Sequence, residues 1–232
     1  FYSVSLFIGS ALLYHCAMNK LDHIVVAASS LKQGVEYIRE TLGVTIPKGG
    51  FHQTMGTHNH LMQLGGESYL ELISIDPDAA IPSHPRWFAL DQLPMRDMLE
   101  QGPRLITWVM NCPHIKQLCQ SIDFEIGSPT PLTRDDLSWE IALPQDGRLL
   151  AGGMLPYCIQ WHSSPHPSHH MSQQYCRLKT LHLHHNRPQW LQQKLDLMGA
   201  TQLVKVEALD EDEAPYLSAS IETPQGATIT LT

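Results

Sequence analysis

This chain has no cluster of basic residues and no pair of cysteines at CxxC spacing. Lysine and arginine total 15 against 23 aspartates and glutamates, the net charge is −8, and the basic residues are scattered along the sequence. Such a sequence lacks the electrostatic footprint of nucleic-acid binding, so we expect no nucleic-acid partner. The five cysteines are odd in number and show no CxxC spacing, which is typical of reduced thiols in a cytoplasmic protein.

The apolar run near the N-terminus is too short to cross a bilayer. It covers residues 4–13, and no lysine or arginine precedes it as in a secretory signal. We therefore expect no membrane partner. Residues 1–17 are interpreted as a remnant of cloning or of upstream translation, with Met18 as the natural start, and a degenerate export signal is the alternative.

The remaining sequence contains the same order of predicted elements three times. With 43% hydrophobic residues, its 232 residues can bury a sizeable core. Apolar periodicity predicts a βαβββ module in residues 18–76, a proline-rich connector in 77–102, a second βαβββ module in 103–170 and a third, βαβββ-like module in 171–232. The histidine- and proline-rich stretch that ends the second module is interpreted as a solvated loop.

The first module contains two strand residues whose side chains could bind a metal or transfer a proton. Successive strand side chains point to opposite faces of a sheet, so His23 is predicted to face away from Asp22. Glu71 is flanked by Leu70 and Leu72, and a carboxylate in such a strand is costly to bury unless it is paired or bound to a metal. If both strands present these residues to the same face, His23 and Glu71 can meet.

Several ordered motifs carry a resemblance to a known family. They are LDHIV (21–25), LGV (42–44), GTHNHL (56–61) and YLELI (69–73), followed by LPYCIQW (155–161) and His166-Pro167. Together they resemble the glyoxalase-like branch of the vicinal oxygen chelate superfamily, from about Lys20 to His185. The resemblance implies an α+β fold in which repeated βαβββ modules form a cupped mixed sheet with helices on the outside and a ligand cavity on the concave face.

The resemblance also implies a divalent metal. His23 and Glu71 match the family's first pair of ligands, and imidazole and carboxylate suit iron, manganese, nickel or zinc. The second module departs from the pattern, because aligning the helices places Thr107 opposite His23 and Gln160 opposite Glu71. A complete four-ligand site is therefore not predicted.

Other residues are expected to complete the site. If the strand is regular, only one of His58 and Asn59 faces the concave side, unless a bulge re-aims the other. We expect His23, Glu71 and His58 as metal ligands, Glu71 and His58 as catalytic groups, and His52, Asn59, Trp108, Gln160 and Trp161 as contacts to the substrate.

Two classes of function remain open. The first is a metal-dependent lyase or isomerase that acts on a small oxygenated metabolite. The alternative is a metal-free protein of the same fold that binds or sequesters a small molecule, and a ring-cleaving dioxygenase is a weaker third option. A homodimer is also expected, because modules of the resembled superfamily commonly pair between chains.

Overall fold

The computed structural model describes residues 19–232, so the interpretation of residues 1–17 lies outside the described residues. No helix in this range is long and apolar enough to span a membrane. In chain order the elements are β1 (Lys20–Ala27), α1 (Leu31–Leu42), β2 (Lys48–His52), β3 (Thr57–Gln63), β4 (Tyr69–Ile75), α2 (Leu93–Glu100), β5 (Arg104–Asn111), α3 (Ile115–Ser121), β6 (Ser128–Arg134), β7 (Leu137–Leu143), β8 (Tyr157–Trp161), β9 (Arg177–His185), α4 (Pro188–Met198), β10 (Lys205–Ala208), β11 (Tyr216–Glu222) and β12 (Thr228–Leu231).

The first two βαβββ units share one curled sheet of eight strands. Its order is β2-β3-β4-β1-β5-β8-β7-β6. In each unit the first strand pairs in parallel with the last, β1 with β4 and β5 with β8. The two units join through the antiparallel pair β1 and β5. The predicted α+β class with a cupped sheet of βαβββ modules is confirmed, and the two units pair within a single chain.

The third unit repeats the order of elements but not their pairing. Its four-stranded sheet has the order β10-β9-β11-β12, so its first strand lies between two neighbours instead of pairing with its last strand. Apolar periodicity encodes the type of each element, whereas pairing depends on contacts between segments distant in sequence. This unit buries Leu181, Leu183 and Leu217 in the core beneath the larger sheet.

The two faces of the eight-stranded sheet have separate cores. Ile24 and Val26 point to the convex face, where helices α1, α3 and α4 and the small sheet cover them. Val25 points to the concave face, where Trp87 and Phe88 of the connector pack. The alternation of β1 thus places a helix-covered core on one side and the inner lining of a cup on the other.

Helix α1 has a capping residue at each end. The Ser30 hydroxyl accepts a hydrogen bond from the Gln33 N–H, and Gly43 ends the helix in the left-handed conformation with φ of 70°. Ile38 and Leu42 are buried on the inner face of the helix. This packing supports the strands that carry His23 and Glu71.

A tight contact between a turn and β5 gives a stability prediction. A Cβ atom on Gly153, where φ is 97°, would lie 2.0 Å from the Ile106 carbonyl oxygen, whereas Gly152, with φ of 65°, faces open space. We expect Gly153→Ala to lower the free energy of unfolding by about 3 kcal/mol or more, because backbone must move. Gly152→Ala, which meets no clash, should cost about 1 kcal/mol. Urea unfolding of both variants measures the difference in the free energy of unfolding. Equal losses in the two variants would contradict the predicted clash at Gly153.

Candidate functional site

A β-bulge in β1 brings two neighbouring side chains together. Leu21 pairs with Met110 and His23 pairs with Val109, so Asp22 is an extra residue in this strand. The Asp22 Oδ1 atom lies 2.7 Å from the His23 Nδ1 atom. The predicted separation of the two side chains by strand alternation is therefore wrong, because the bulge interrupts the alternation at this point.

His23 and Glu71 meet on the concave face. β1 and β4 are parallel, with His23 opposite Tyr69 and Val25 opposite Glu71, so the two polar side chains stand two positions apart on one face. The His23 Nε2 and Glu71 Oε2 atoms are 3.6 Å apart. The Tyr69 ring stacks on the imidazole with 4.5 Å between ring centres. Both side chains are buried, which leaves them little water to screen their charges.

The second oxygen of Asp22 is held from the opposite half of the cup. Its Oδ2 atom accepts a hydrogen bond from the Trp161 Nε1–H at 2.8 Å and lies 3.0 Å from the His166 Nε2 atom. Sequence reasoning missed Asp22 and His166 as parts of the site. The signals were an aspartate adjacent to a histidine within an apolar strand and the His166-Pro167 pair, which lies in the stretch interpreted as a solvated loop.

Asn59 orients the Glu71 carboxylate. Its Nδ2–H group donates to Glu71 Oε1 at 2.6 Å, and its Oδ1 atom accepts a hydrogen bond from the Gly50 N–H at 2.8 Å. A Cβ atom on Gly49 would lie 2.2 Å from the same Oδ1 atom, so glycine at that position leaves room for the amide. The glycine pair of β2 therefore fixes the direction of Asn59, and Asn59 in turn fixes Glu71.

The charges of the three buried groups depend on one another. Burial would raise the pKa of Asp22, but its contacts with His166 and His23 outweigh burial and lower that pKa to about 2. Burial would likewise raise the pKa of Glu71, yet His23 and the Asn59 amide lower it to about 2. Burial disfavours the charged ring of His23, but the Asp22 and Glu71 carboxylates raise its pKa to about 9. At neutral pH the site holds an imidazolium between two carboxylates. Asp22, His23 and Glu71 together form an ion triad.

His52 lies beside this triad and is uncharged at neutral pH. Burial, the main cause, lowers its pKa to about 4, and the charge of Arg134 adds to this effect while Glu71 opposes it. Its Nε2 atom lies 3.4 Å from Nη1 of Arg134, and its Nδ1 atom lies 3.1 Å from the Thr57 hydroxyl oxygen. The Trp87 ring meets the His52 ring edge to face at 4.8 Å.

The site has an inner cavity and an outer vestibule. The inner cavity offers about 40 Å³, room for a few non-hydrogen atoms, and the vestibule offers about 570 Å³. Four residues line both spaces: His52, Trp87, Arg134 and Trp139. The inner cavity is also lined by His23, Asn59, Leu61, Tyr69, Glu71, Phe88, Ile141, Ile159, Trp161, Pro167 and Met171. His23, His52, Asn59, Glu71 and Trp161 of the expected set therefore share one cavity.

His58 faces away from this cavity. Its Nε2 atom lies 2.8 Å from the Ser74 hydroxyl oxygen, while the next residue, Asn59, reaches Glu71. The strand is regular at this point, so only one of the two neighbours faces the concave side, and that residue is Asn59. This corrects the expectation that His58 is a catalytic group and a metal ligand.

Trp108 and Gln160 also lie outside the cavity. Trp108 is fully buried in the convex core, where its Nε1–H group donates to the Met154 carbonyl at 3.2 Å. The Gln160 Oε1 atom accepts a hydrogen bond from the Ile115 N–H at 3.2 Å, at the start of α3. Alternation along β8 sends Gln160 to that face because Trp161 points into the cavity. The substrate contacts expected of Trp108 and Gln160 are corrected accordingly.

The residues of the second unit do not complete a metal site. Tyr157 lies opposite Val109 in the β5–β8 pair, just as Glu71 lies opposite Val25 in the β1–β4 pair. Tyr157 therefore takes the position that was expected for Gln160. The Tyr157 hydroxyl donates to the Arg148 carbonyl at 2.6 Å and is not directed at His23. Within residues 19–232 no three His, Cys, Asp or Glu residues form a group suited to a metal ion. A catalytic zinc site usually has three protein ligands, so the donor set here fits a divalent metal poorly.

The ion triad predicts a definite pH dependence. The pKa of His23 is raised to about 9, so its stabilising contribution is complete below its ordinary pKa of 6.5 and is lost as the pH rises through 9. The contributions of Asp22 and Glu71 are lost as the pH falls below about 4 towards 2. We expect the His23 contribution to be on the order of 3 kcal/mol.

Asp22→Asn should lower the pKa of His23 and flatten the alkaline loss of stability. The His23 ring titration by NMR and urea unfolding between pH 6 and 10 measure the two effects. Asp78→Asn, which changes an exposed aspartate, is the matched control. A wild-type His23 that titrates near its ordinary pKa would contradict the triad.

Comparisons with known proteins agree with this architecture. Residues 21–198 match the model of a family described as the glyoxalase-like domain. No curated protein matches the sequence significantly. A hypothetical protein from Staphylococcus aureus, at 16% identity and a TM-score of 0.55, is similar over 92% of this chain and 85% of its own.

Two further solved structures show weaker similarity. Methylmalonyl-CoA epimerase from Mycobacterium tuberculosis has 15% identity and a TM-score of 0.39, covering 63% of this chain and 89% of its own. The other is a variant of Streptomyces coelicolor methylmalonyl-CoA epimerase in complex with 2-nitronate-propionyl-CoA. It has 16% identity and a TM-score of 0.40, and the similarity covers 62% of this chain and 98% of its own. Because the family match extends over most of the chain, the resemblance to glyoxalase-like proteins is confirmed, and this protein belongs to the glyoxalase-like domain family.

Proposed function

We propose that this protein is an isomerase or lyase that moves a proton on a small oxygenated metabolite by means of His23 and Glu71. One observation carries the proposal: an imidazolium and a carboxylate are buried 3.6 Å apart at the floor of an aromatic cavity. Neighbouring groups that prefer opposite protonation states are the usual basis of acid and base catalysis.

His23 is suited to act on a substrate oxygen. Its Nδ1–H group is held by Asp22, while the separation of 3.6 Å between Nε2 and Glu71 exceeds a normal hydrogen bond. The Nε2 proton is therefore free to bind a carbonyl oxygen in the inner cavity. A buried cation at that position stabilises negative charge that develops on the oxygen.

Glu71 is suited to accept a proton from the adjacent carbon. Its Oε1 atom is held by Asn59, whereas Oε2 faces the cavity beside His23. The low pKa of Glu71 depends on the positive His23 ring, so transfer of the ring proton to the substrate oxygen makes Glu71 a stronger base. The carbon then loses its proton to Glu71 as the oxygen gains one from His23, and the product is an enol.

Carbon-bound hydrogen exchange tests this chemistry even when the final product is unidentified. We expect the wild type to exchange the hydrogen on the carbon next to a carbonyl group, which is C3 of a 2-oxo acid and C2 of a 2-hydroxy acid, in at least one of a set of such acids of three to six carbons. NMR in deuterium oxide measures the rate. Glu71→Gln should lower it about 100-fold or more, because general base catalysis is lost. Glu67→Gln, on the exposed pair with Lys20, should leave it unchanged.

The second candidate is a binding protein that performs no chemistry. The aromatic rings of Trp87, Trp139 and Trp161 favour it, together with the place of Tyr157 in the second unit. In that case, a compound from the same set should raise the melting temperature without exchange. Trp161→Ala should then weaken its binding about tenfold, while Glu71→Gln retains it. Exchange that survives Glu71→Gln would contradict the proposed enzyme.

The poor fit of the donor set to a divalent metal gives a separate prediction. Elemental analysis of protein purified without a histidine tag or chelator, then incubated with iron, manganese, nickel or zinc, should find the same metal content in the wild type and in Glu71→Ala. Two donors hold a metal weakly, and binding must also displace the proton from His23. About one equivalent of metal in the wild type that is lost in Glu71→Ala would show that a resident metal occupies the site.

A further inference from the structure

Arg134 is a cation without a carboxylate partner at the junction of the two spaces. It ends β6, is half-buried and lines both the inner cavity and the vestibule. In the part of the chain that the structure describes, no carboxylate oxygen lies within 4.0 Å of its guanidinium, and its hydrogen-bond contact is with His52 at 3.4 Å. By contrast, the buried Arg86 of the connector is paired with Asp91 at 2.6 Å.

The surroundings of Arg134 leave its charge available to a ligand. His52 is neutral at pH 7, so it accepts a hydrogen bond from the guanidinium without neutralising it. A Cβ atom on Gly50 would lie 3.1 Å from Cδ of Arg134 and 3.3 Å from its Nε and Nη1 atoms. Because Gly50 has no side chain, the guanidinium can pack directly against β2. A half-buried cation held in this way attracts an anion more strongly than one in open water.

The dimensions of the site constrain the shape of that anion. The inner cavity of about 40 Å³ accepts only a few non-hydrogen atoms, whereas the vestibule of about 570 Å³ is within the usual range for a small-molecule site. A ligand whose oxygen reaches His23 must therefore extend past Arg134 into the vestibule. The vestibule also contains the Asp135 carboxylate, which disfavours a ligand with several negative charges.

We propose that Arg134 is a specificity-determining residue that binds the carboxylate of a monoanionic organic acid, while a second oxygen of the same molecule enters the inner cavity. The guanidinium and carboxylate form a charge-assisted pair at the boundary of the vestibule. The position of the second oxygen at His23 rests on the proposed function. The carboxylate subsite itself does not, since a binding protein without chemistry would use the same pair.

Matched acids and primary amides test the subsite. The probes are the 2-oxo and 2-hydroxy acids of three to six carbons, each with its uncharged amide, and Trp87 and Trp139 report binding by fluorescence. We expect the wild type to bind at least one acid ten or more times more tightly than its amide, and the preference to weaken with salt. Arg134→Gln should abolish the preference while retaining amide binding, and Arg134→Lys should keep part of it. Arg148→Gln, which removes a surface cation paired with Asp146, should keep all of it.

Gly50→Ala supplies a second variant that retains the arginine. Its Cβ would push the Arg134 side chain by a few tenths of an ångström, so we expect it to lower the preference for the acid while circular dichroism shows a folded protein. Equal binding of acid and amide by the wild type, a preference that survives Arg134→Gln, or binding of neither probe at millimolar concentration would each overturn the proposal. Loss of hydrogen exchange in Glu71→Gln is measured separately, so the two proposals fail independently.

Discussion

The buried contact between Asp22 and His23 is the interaction on which the rest of the site depends. It requires a bulge in β1, because a regular strand would send the two side chains to opposite faces. It keeps the His23 ring charged in a dry environment, and that charge in turn keeps Glu71 ionised beside it. Trp161 contributes a hydrogen bond from the other half of the cup, so the ion triad also links the two units.

Much of this arrangement was predictable from the sequence. Strand alternation brought His23 and Glu71 to one face, and it also required that only one of His58 and Asn59 face them. Alternation does not reveal which of two neighbours faces inward, because that depends on the register with β4. The bulge at Asp22 was beyond prediction for a similar reason, since it arises from the pairing of β1 with β5, about 80 residues later.

Two of the residues that sequence reasoning missed come from segments far from the first unit. Arg134 ends a strand of the second unit, and His166 lies in a proline-rich loop that turns back towards Asp22. Arg134 has no local pattern that distinguishes it from a solvated side chain, and the His166-Pro167 pair does not by itself show that its loop returns to Asp22. Trp108 illustrates the opposite error, because an aromatic residue in a strand suits a cavity wall and a core equally well, and β5 turns it towards the helices.

The pairing of β1 with β5 inside one chain has a consequence for how a ligand lies in the cup. Two identical units in a symmetric dimer would present the same groups on both sides of the concave face. Here the first unit contributes the acid and base groups, while the second contributes the Arg134 guanidinium together with tryptophan and isoleucine side chains. The two halves of the cup therefore differ in chemistry, and an asymmetric ligand fits it in a single orientation.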